Sequence, residues 1–177
     1  GRKESMTAGD AHYWGVWWGR DSIQILKKKI PRFMSEYGMQ AMPVPATIKQ
    51  FASAADWDTS SVVMRAHQKH PTGFATLQSY LEQEHLHPHD FLSFIQATQE
   101  LQSRTIATAV NAEMHAQGRC MGTMLWQFND CWPVCSWSVI DYYGRPKKAY
   151  YTLQRCYAQQ ADLPAHASSK HKHRRKL

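Results

Sequence analysis

Glu36 is the residue of this sequence whose type and position first suggest catalysis. It stands within residues 32–40, where the apolar side chains of Phe33 and Met34 give way to polar and flexible residues. This change is typical of a short buried strand that ends at Glu36, and burying an unpaired carboxylate is costly. At the rim of a parallel sheet or barrel, a carboxylate faces a cleft and can act as a nucleophile or general base. The alternative is a structural glutamate that pairs with the nearby Arg32.

A second group of polar residues follows another apolar run. Residues 120–126 are mostly apolar, end at Trp126, and are predicted to form a buried parallel strand. Asn129 and Asp130 come next, in a loop that would lie on the same rim as Glu36. We expect these two side chains either to form hydrogen bonds to a ligand at the rim or to form the turn itself.

The two stretches carry the motifs Ser-Glu-Tyr-Gly-x-Gln at residues 35–40 and Trp-Gln-Phe-Asn-Asp-x-Trp-Pro at residues 126–133. Together these motifs resemble the β-mannosidase branch of glycoside hydrolase family 2, and the resemblance runs from about residue 9 to about residue 157. It implies an α/β fold, the C-terminal portion of a (β/α)8 TIM barrel with about strands 7 and 8 and their helices. It also implies a fragment of a larger multidomain enzyme, with β-sandwich domains before the barrel and further β domains after it.

The resemblance assigns roles to single residues. Glu36 matches the nucleophile of a retaining exo-β-mannosidase that releases terminal β-D-mannose. Trp126 matches a tryptophan that forms the floor or wall of the −1 sugar pocket, and the alternative is a core tryptophan. The glycine-punctuated aromatic loop of residues 11–20 would help to wall that pocket through Trp14, Trp17 or Trp18, unless these rings pack beneath the loop.

The second carboxyl group of a retaining mechanism has no match here. The family's acid/base is expected as the glutamate of an Asn-Glu pair, and this dipeptide does not occur in the sequence. We therefore expect the acid/base upstream of Gly1 and residues 1–177 to be inactive alone, because the mechanism needs two carboxyl groups. Two alternatives stay open: another family 2 glycosidase (β-glucosaminidase or β-galactosidase), or a non-catalytic barrel fragment acting as a carbohydrate-binding or interaction module.

The positive charge of the sequence is concentrated at its C-terminal end. The formal net charge is +7, and residues 170–177 carry five positive charges, so the rest carries only +2. The globular part is therefore not predicted to bind nucleic acid. We expect residues 1–160 to be part of the glycosidase catalytic domain and residues 161–177 to be a basic linker or tail.

Other features indicate no metal, cofactor or membrane span. His85, His87 and His89 alternate in a proline-broken loop, but no cysteine or carboxylate completes a metal-binding set at suitable spacing. The four cysteines lack the paired spacing of a zinc site. No run of eighteen apolar residues occurs.

The elements expected to position these residues alternate between strand and helix, as in the last βα units of a barrel. A short helix capped by Asp21 precedes the strand that carries Glu36, and a final helix spans residues 147–159. Between them we predict a helix capped by Thr47, a helix after the capping cluster 58–61, a helix over 74–81, a long helix over 90–117 and the strand 120–126.

The expected partners follow from the resemblance. They are a β-mannoside oligosaccharide or glycoconjugate as substrate and the remainder of the same enzyme chain. The family likeness implies a periplasmic, secreted or lysosomal location, and the sequence leaves the cytoplasm open.

Overall fold

A computed structural model of the protein describes residues 5–161. The predicted tail, residues 161–177, lies outside this range except for Ala161, the last residue of the final helix. Five α-helices are present in the described range: α1 (Pro45–Ile48), α2 (Val62–Ala66), α3 (Gly73–Gln83), α4 (Phe91–His115) and α5 (Lys148–Ala161). The same range contains two short 3-10 helices, Ile23–Lys27 and Ala54–Asp56. It also contains two strands, β1 (Ala11–His12) and β2 (Met34–Glu36).

The two strands lie side by side and are parallel. Ala11 pairs with Met34 and His12 with Glu36, with an irregularity between the two pairs. The first residues of the predicted aromatic loop thus belong to a strand, which corrects the assignment of residues 11–20 as loop throughout. Glu36 is the last residue of β2, as the apolar-to-polar change predicted.

Residues 121–126 run along the other side of β2. The amide nitrogens of Met121, Met124 and Trp126 donate to the carbonyl oxygens of Arg32, Met34 and Tyr37 at 2.8, 2.8 and 2.7 Å. The predicted buried strand over 120–126 is nevertheless wrong in two respects. The segment is not a continuous strand, and the side chains at 121, 124 and 126 are exposed. Side chains of a strand are buried by elements that pack over the faces of a sheet, and within residues 5–161 little packs over these three.

The long helix α4 forms the centre of the core. Its side chains Phe94, Ile95, Leu101, Ile106 and Val110 are buried, which confirms the predicted apolar stripe. It packs mainly against α5 and also against the 3-10 helix Ile23–Lys27. The carboxylate of Asp90 caps α4 by accepting a hydrogen bond from the Ser93 amide at 2.7 Å.

Two predicted helix starts differ from the structure. Ser22, not Asp21, caps the first 3-10 helix, because the Asp21 carboxylate accepts a hydrogen bond from the Tyr13 hydroxyl at 2.5 Å instead. Thr47 is not a cap but a buried residue of α1, and its hydroxyl donates to Asp141 at 2.6 Å. In both cases the polar side chain forms a hydrogen bond with a residue outside its own helix instead of capping that helix. The predicted cap of α2, in contrast, is confirmed at Ser61.

Candidate active site

The three parallel segments end together and bring the motif residues to one place. The Tyr13 amide, just after β1, donates to the carbonyl of Glu36 at 2.8 Å. On the other side, the Trp126 amide donates to the carbonyl of Tyr37 at 2.7 Å. Backbone hydrogen bonds therefore fix the end of β2 between the other two segment ends. Glu36 and Trp126, which are 90 positions apart in the sequence, lie at the same edge as a result.

The Glu36 carboxylate is held by two ring nitrogens. Trp14 Nε1 donates to Glu36 Oε1 at 2.7 Å, and His12 Nδ1 lies 3.4 Å from Glu36 Oε2. The side chain keeps 26% of its surface exposed, so an attacking lone pair can reach a ligand. Glu36 and Arg32, both in the described range, form no ion pair there, which makes the alternative of a simple Arg32 partner wrong. A carboxylate that is oriented yet accessible suits a nucleophile or a general base.

Behind His12 lies a second carboxylate, that of Asp10. Its Oδ2 is 3.6 Å from His12 Nε2 and accepts a hydrogen bond from the Ser35 hydroxyl at 2.5 Å. The Ser35 hydroxyl, with a smaller contribution from His12, lowers the pKa of Asp10, so this carboxylate stays negative at neutral pH. Asp10, His12 and Glu36 thus form a chain in which the imidazole lies between two acids.

Neither Asp10 nor His12 is predicted from the sequence to be a site residue. The available signal was their spacing, because residues two apart on an extended segment lie on the same side of it. Because β1 lies beside β2, this side of the segment faces the end of β2. Asp10 therefore contacts Ser35, and His12 contacts Glu36.

The tryptophans of residues 11–20 have different surroundings. Trp14 is half-buried, contacts Glu36 and packs edge-on against Trp137 at 6.0 Å between ring centroids. Trp17 is only 1% exposed, and its ring packs edge-on against Trp137 at 5.4 Å. Its amide donates to the Tyr80 hydroxyl at 2.8 Å. Trp14 is therefore placed beside the candidate nucleophile, whereas Trp17 packs beneath the loop, the alternative foreseen for it. Trp18 is exposed and lies edge-on against His70.

Trp126 keeps 45% of its surface exposed at the same edge as Glu36. Its peptide bond to Gln127 is cis. Its carbonyl oxygen comes so close to Gly38 that a Cβ at position 38 would collide with it. The position of Trp126 relative to β2 thus depends on a glycine two residues after Glu36. The indole has the exposure of a ring that could contact a ligand, and not that of a core residue.

The two residues predicted at the rim, Asn129 and Asp130, have different surroundings in the structure. Asp130 is 7% exposed, and its Oδ2 accepts hydrogen bonds from the Ser136 and Ser138 hydroxyls at 2.7 and 2.5 Å. This carboxylate therefore holds the loop in place, as a turn-forming role requires. Asn129 is exposed, and its carbonyl accepts a hydrogen bond from the side-chain amide of Gln127 at 2.7 Å.

A buried lysine side chain lies near Asp130. Lys147 is 0% exposed, and its Nζ donates to the carbonyls of Ala41 and Ser136 at 3.1 and 3.4 Å. Burial lowers the pKa of Lys147, and the negative charge of Asp130 opposes that shift. The loop after Trp126 is thus tied to the start of α5 by buried polar groups.

Neither a metal site nor a membrane helix is found in the part of the chain that the structure describes. Among residues 5–161, no three His, Cys, Asp or Glu side chains are grouped so that they could hold a metal ion. None of the helices in that range is long and apolar enough to cross a membrane.

Comparison of the sequence with known proteins finds relatives named beta-mannosidase B. Beta-mannosidase B of Thermothelomyces thermophilus is 38% identical over 160 residues, which are 84% of this chain and 19% of that protein. Beta-mannosidase B of Aspergillus niger is 36% identical over 154 residues, again 84% of this chain and 18% of the relative. The chain thus spans about a fifth of the length of the curated relatives that it matches. No protein-family model matches it.

Solved structures agree with the sequence comparison. The β-D-mannosidase of Dictyoglomus thermophilum matches 87% of this chain with a TM-score of 0.84 and 35% identity, using 19% of its own length. The exo-chitosanase CsxA of Amycolatopsis orientalis matches 77% of this chain and 18% of its own, with a TM-score of 0.63. Its 17% identity shows a shared fold alone. From sequence and fold together, the chain is a relative of the β-mannosidases and corresponds to a segment of about a fifth of their length.

Proposed function

We propose that this chain supplies the nucleophile side of the active site of a retaining exo-β-mannosidase of glycoside hydrolase family 2. In this proposal the three parallel segments are late strands of a (β/α)8 barrel, and polypeptide outside this sequence completes it. The substrate is a β-mannoside oligosaccharide or glycoconjugate, from which terminal β-D-mannose is released. The relatives named as β-mannosidases support the reaction class. The observation that carries the assignment of Glu36 is its 2.7 Å contact with Trp14 at the end of a parallel strand.

The proposed chemistry begins with attack by Glu36 on the anomeric carbon. One carboxylate oxygen forms the bond to the sugar while an acid/base carboxyl group protonates the departing glycosidic oxygen. Water then hydrolyses the glycosyl-enzyme intermediate, and the same second group acts as base. Retaining enzymes place the two carboxyl groups about 5–5.5 Å apart. We assign the second carboxyl group to polypeptide outside this sequence.

The neighbours of Glu36 have separate tasks in this mechanism. Trp14 donates to one oxygen and so directs the other towards the sugar. His12, held between Asp10 and Glu36, lies beside the second oxygen of the attacking carboxylate and helps to fix its orientation. The exposed ring of Trp126 gives the sugar in the −1 pocket an apolar surface.

Labelling by a mechanism-based inactivator tests the nucleophile. A full-length β-mannosidase containing this chain would be treated with a 2-deoxy-2-fluoro-β-mannosyl fluoride, digested and analysed by mass spectrometry. We expect the sugar on the peptide that contains Glu36, and none in the Glu36→Gln variant. Glu100→Gln is the matched control, because Glu100 pairs with Arg104 and Lys148 on the helix surface. A label on another carboxylate, such as Asp10, would refute the assignment.

A further inference from the structure

A cavity of about 260 Å³ lies between the last turns of α4, the start of the 121–126 segment and α5, and Glu36 is not among the residues that line it. Glu113 of α4, Cys120, Thr123 and Tyr157 of α5 are among the residues that line it. None of these residues has a part in the proposed hydrolysis.

Glu113 is the unusual group of this cavity. It is only 2% exposed, and neither of its carboxyl oxygens has a hydrogen-bond partner among the described residues. The nearest candidate donor, the Thr123 hydroxyl, is directed to the Tyr37 hydroxyl at 3.2 Å. It is still close enough to lower the pKa of Glu113 slightly, although burial dominates and raises that pKa to about 7. A buried carboxyl group without partners is costly, so a group that pairs with it would bind favourably.

The cations nearest in sequence are turned elsewhere. Arg119 donates to the carbonyls of Ile30 and Met6 at 3.2 and 3.1 Å. His115 is exposed, and its Nδ1 lies 2.6 Å from the Asn111 carbonyl oxygen. The described part of the chain therefore offers Glu113 no positive partner.

The other titratable groups near Glu113 are weak acids. They are the phenols Tyr37 and Tyr157 and the thiols Cys120 and Cys156. Burial is the main reason why the pKa values of Tyr37, Tyr157 and Cys120 are raised, and the charge of Glu113 adds to each shift. Two arginines act on the thiols, Arg119 on Cys120 and Arg155 on Cys156, but both donate hydrogen bonds elsewhere and neither forms an ion pair with Glu113. The negative charge of Glu113 is therefore left for an added cation to pair with.

We propose that the Glu113 cavity is a binding site for one nitrogen cation, the guanidinium or ammonium group of an arginine or lysine side chain. An ion pair with Glu113 would satisfy its two oxygens, and the tyrosine ring at the cavity wall suits a neighbouring cation. This site does not depend on the proposed glycosidase function.

Two sources could provide the side chain. One is the remaining polypeptide of a longer protein, because the chain spans about a fifth of its curated relatives. The other is the group of five cations within residues 170–177, which follow α5 in the sequence.

Binding of propylguanidinium to the 1–177 chain tests the site, measured by NMR titration at pH 5 and pH 8. For a carboxyl group with a pKa of about 7, the ionised fraction rises about 90-fold between these pH values, and we expect binding to tighten by up to that factor. Propylurea, which has a similar shape without the charge, should bind weakly at both. Glu113→Gln should remove the pH-dependent binding. Glu82→Gln is the matched control, because it makes the same charge change on the exposed face of α3 and should leave the pH-dependent binding unchanged.

Further measurements test the proposal and identify which polypeptide provides the cationic side chain. In the unmutated chain, the pKa of Glu113 followed by carbon-13 NMR should fall when propylguanidinium is added, a readout that needs no variant. Changing the five cations of residues 170–177 to glutamine should tighten binding if the tail occupies the cavity, and leave it unchanged if a longer protein provides the cation. Equal affinity for propylurea, unchanged binding in Glu113→Gln, or no binding at pH 8 to the tail-neutralised chain would overturn the proposal.

Discussion

Replacing Asp130 by alanine should destabilise the fold strongly, although the sequence places this residue in a motif next to the candidate active site. Its carboxylate accepts hydrogen bonds from the hydroxyls of Ser136 and Ser138, and it opposes the desolvation of the buried Lys147. Hydrogen bonds to charged groups contribute about 1.5–3 kcal/mol each. After the substitution the two serine hydroxyls, which are 3.0 Å apart, can bond to each other instead, so we expect a net loss of about 2–5 kcal/mol from the two lost hydrogen bonds.

Urea unfolding of the 1–177 chain at pH 7, followed by tryptophan fluorescence, measures this loss. Asn129→Ala is the matched control, because the neighbouring side chain is exposed and should change stability by less than about 0.5 kcal/mol. The free energy of unfolding of Asp130→Asn should lie between those of Asp130→Ala and Asn129→Ala, since the amide keeps an acceptor oxygen but not the charge. Unfolding of Asp130→Ala at the same urea concentration as Asn129→Ala would refute a structural role for Asp130.

The pH dependence of the same variant gives a second check. Without Asp130, the pKa of Lys147 in the folded protein should be lowered further, because the attraction that opposes desolvation is gone. The unfolded chain then binds more protons than the folded one between this lowered pKa and the ordinary value of 10.5. Stability of Asp130→Ala should therefore rise as the pH is raised through that window, and the difference from the unmutated chain should shrink.

Two further predictions concern catalysis in the longer enzyme proposed above. Trp14→Phe keeps a ring but removes the donor to Glu36, so kcat/KM should fall about 10–100-fold with a nearly unchanged thermal midpoint. An unchanged kcat/KM would show that this hydrogen bond does not support the reaction. Trp126→Ala should lower kcat/KM by up to about 10²-fold, since a misplaced sugar reacts slowly, while its exposed ring contributes little to stability. A large drop in thermal midpoint with unchanged kcat/KM would instead make Trp126 structural.

Local patterns in the sequence were enough to predict the place of Glu36 and the long helix. The change from apolar to polar residues after Met34 marks the end of β2, and the 3.6-residue repeat of apolar side chains marks α4. Both signals arise within a single element. They depend little on which other parts of the chain pack nearby.

Burial of single aromatic residues could not be predicted in the same way. Trp14 and Trp17 stand in the same loop, and only contacts with Tyr80 and Trp137 decide that Trp17 is the buried one. Residues 120–126 have the composition of a buried strand, yet burial needs elements packed over both faces of the sheet, and within residues 5–161 Met121, Met124 and Trp126 stay exposed. Glu113 was likewise unremarkable in the sequence, because a glutamate on a helix usually faces solvent.

The close approach of the Trp126 carbonyl oxygen to Gly38 restricts the substitutions that position 38 can accept. In a saturation screen for activity, position 38 should tolerate almost no side chain and would score like a catalytic residue, although it has no group that can react. Substitution there would push the 121–126 segment away from β2 and so separate the indole from the Glu36 carboxylate. Within the four residues Ser-Glu-Tyr-Gly, intolerance at position 36 would reflect the proposed chemistry, whereas intolerance at position 38 would reflect the distance between two chain segments. A double substitution that shortens a side chain elsewhere cannot rescue position 38, because the obstacle is a backbone oxygen.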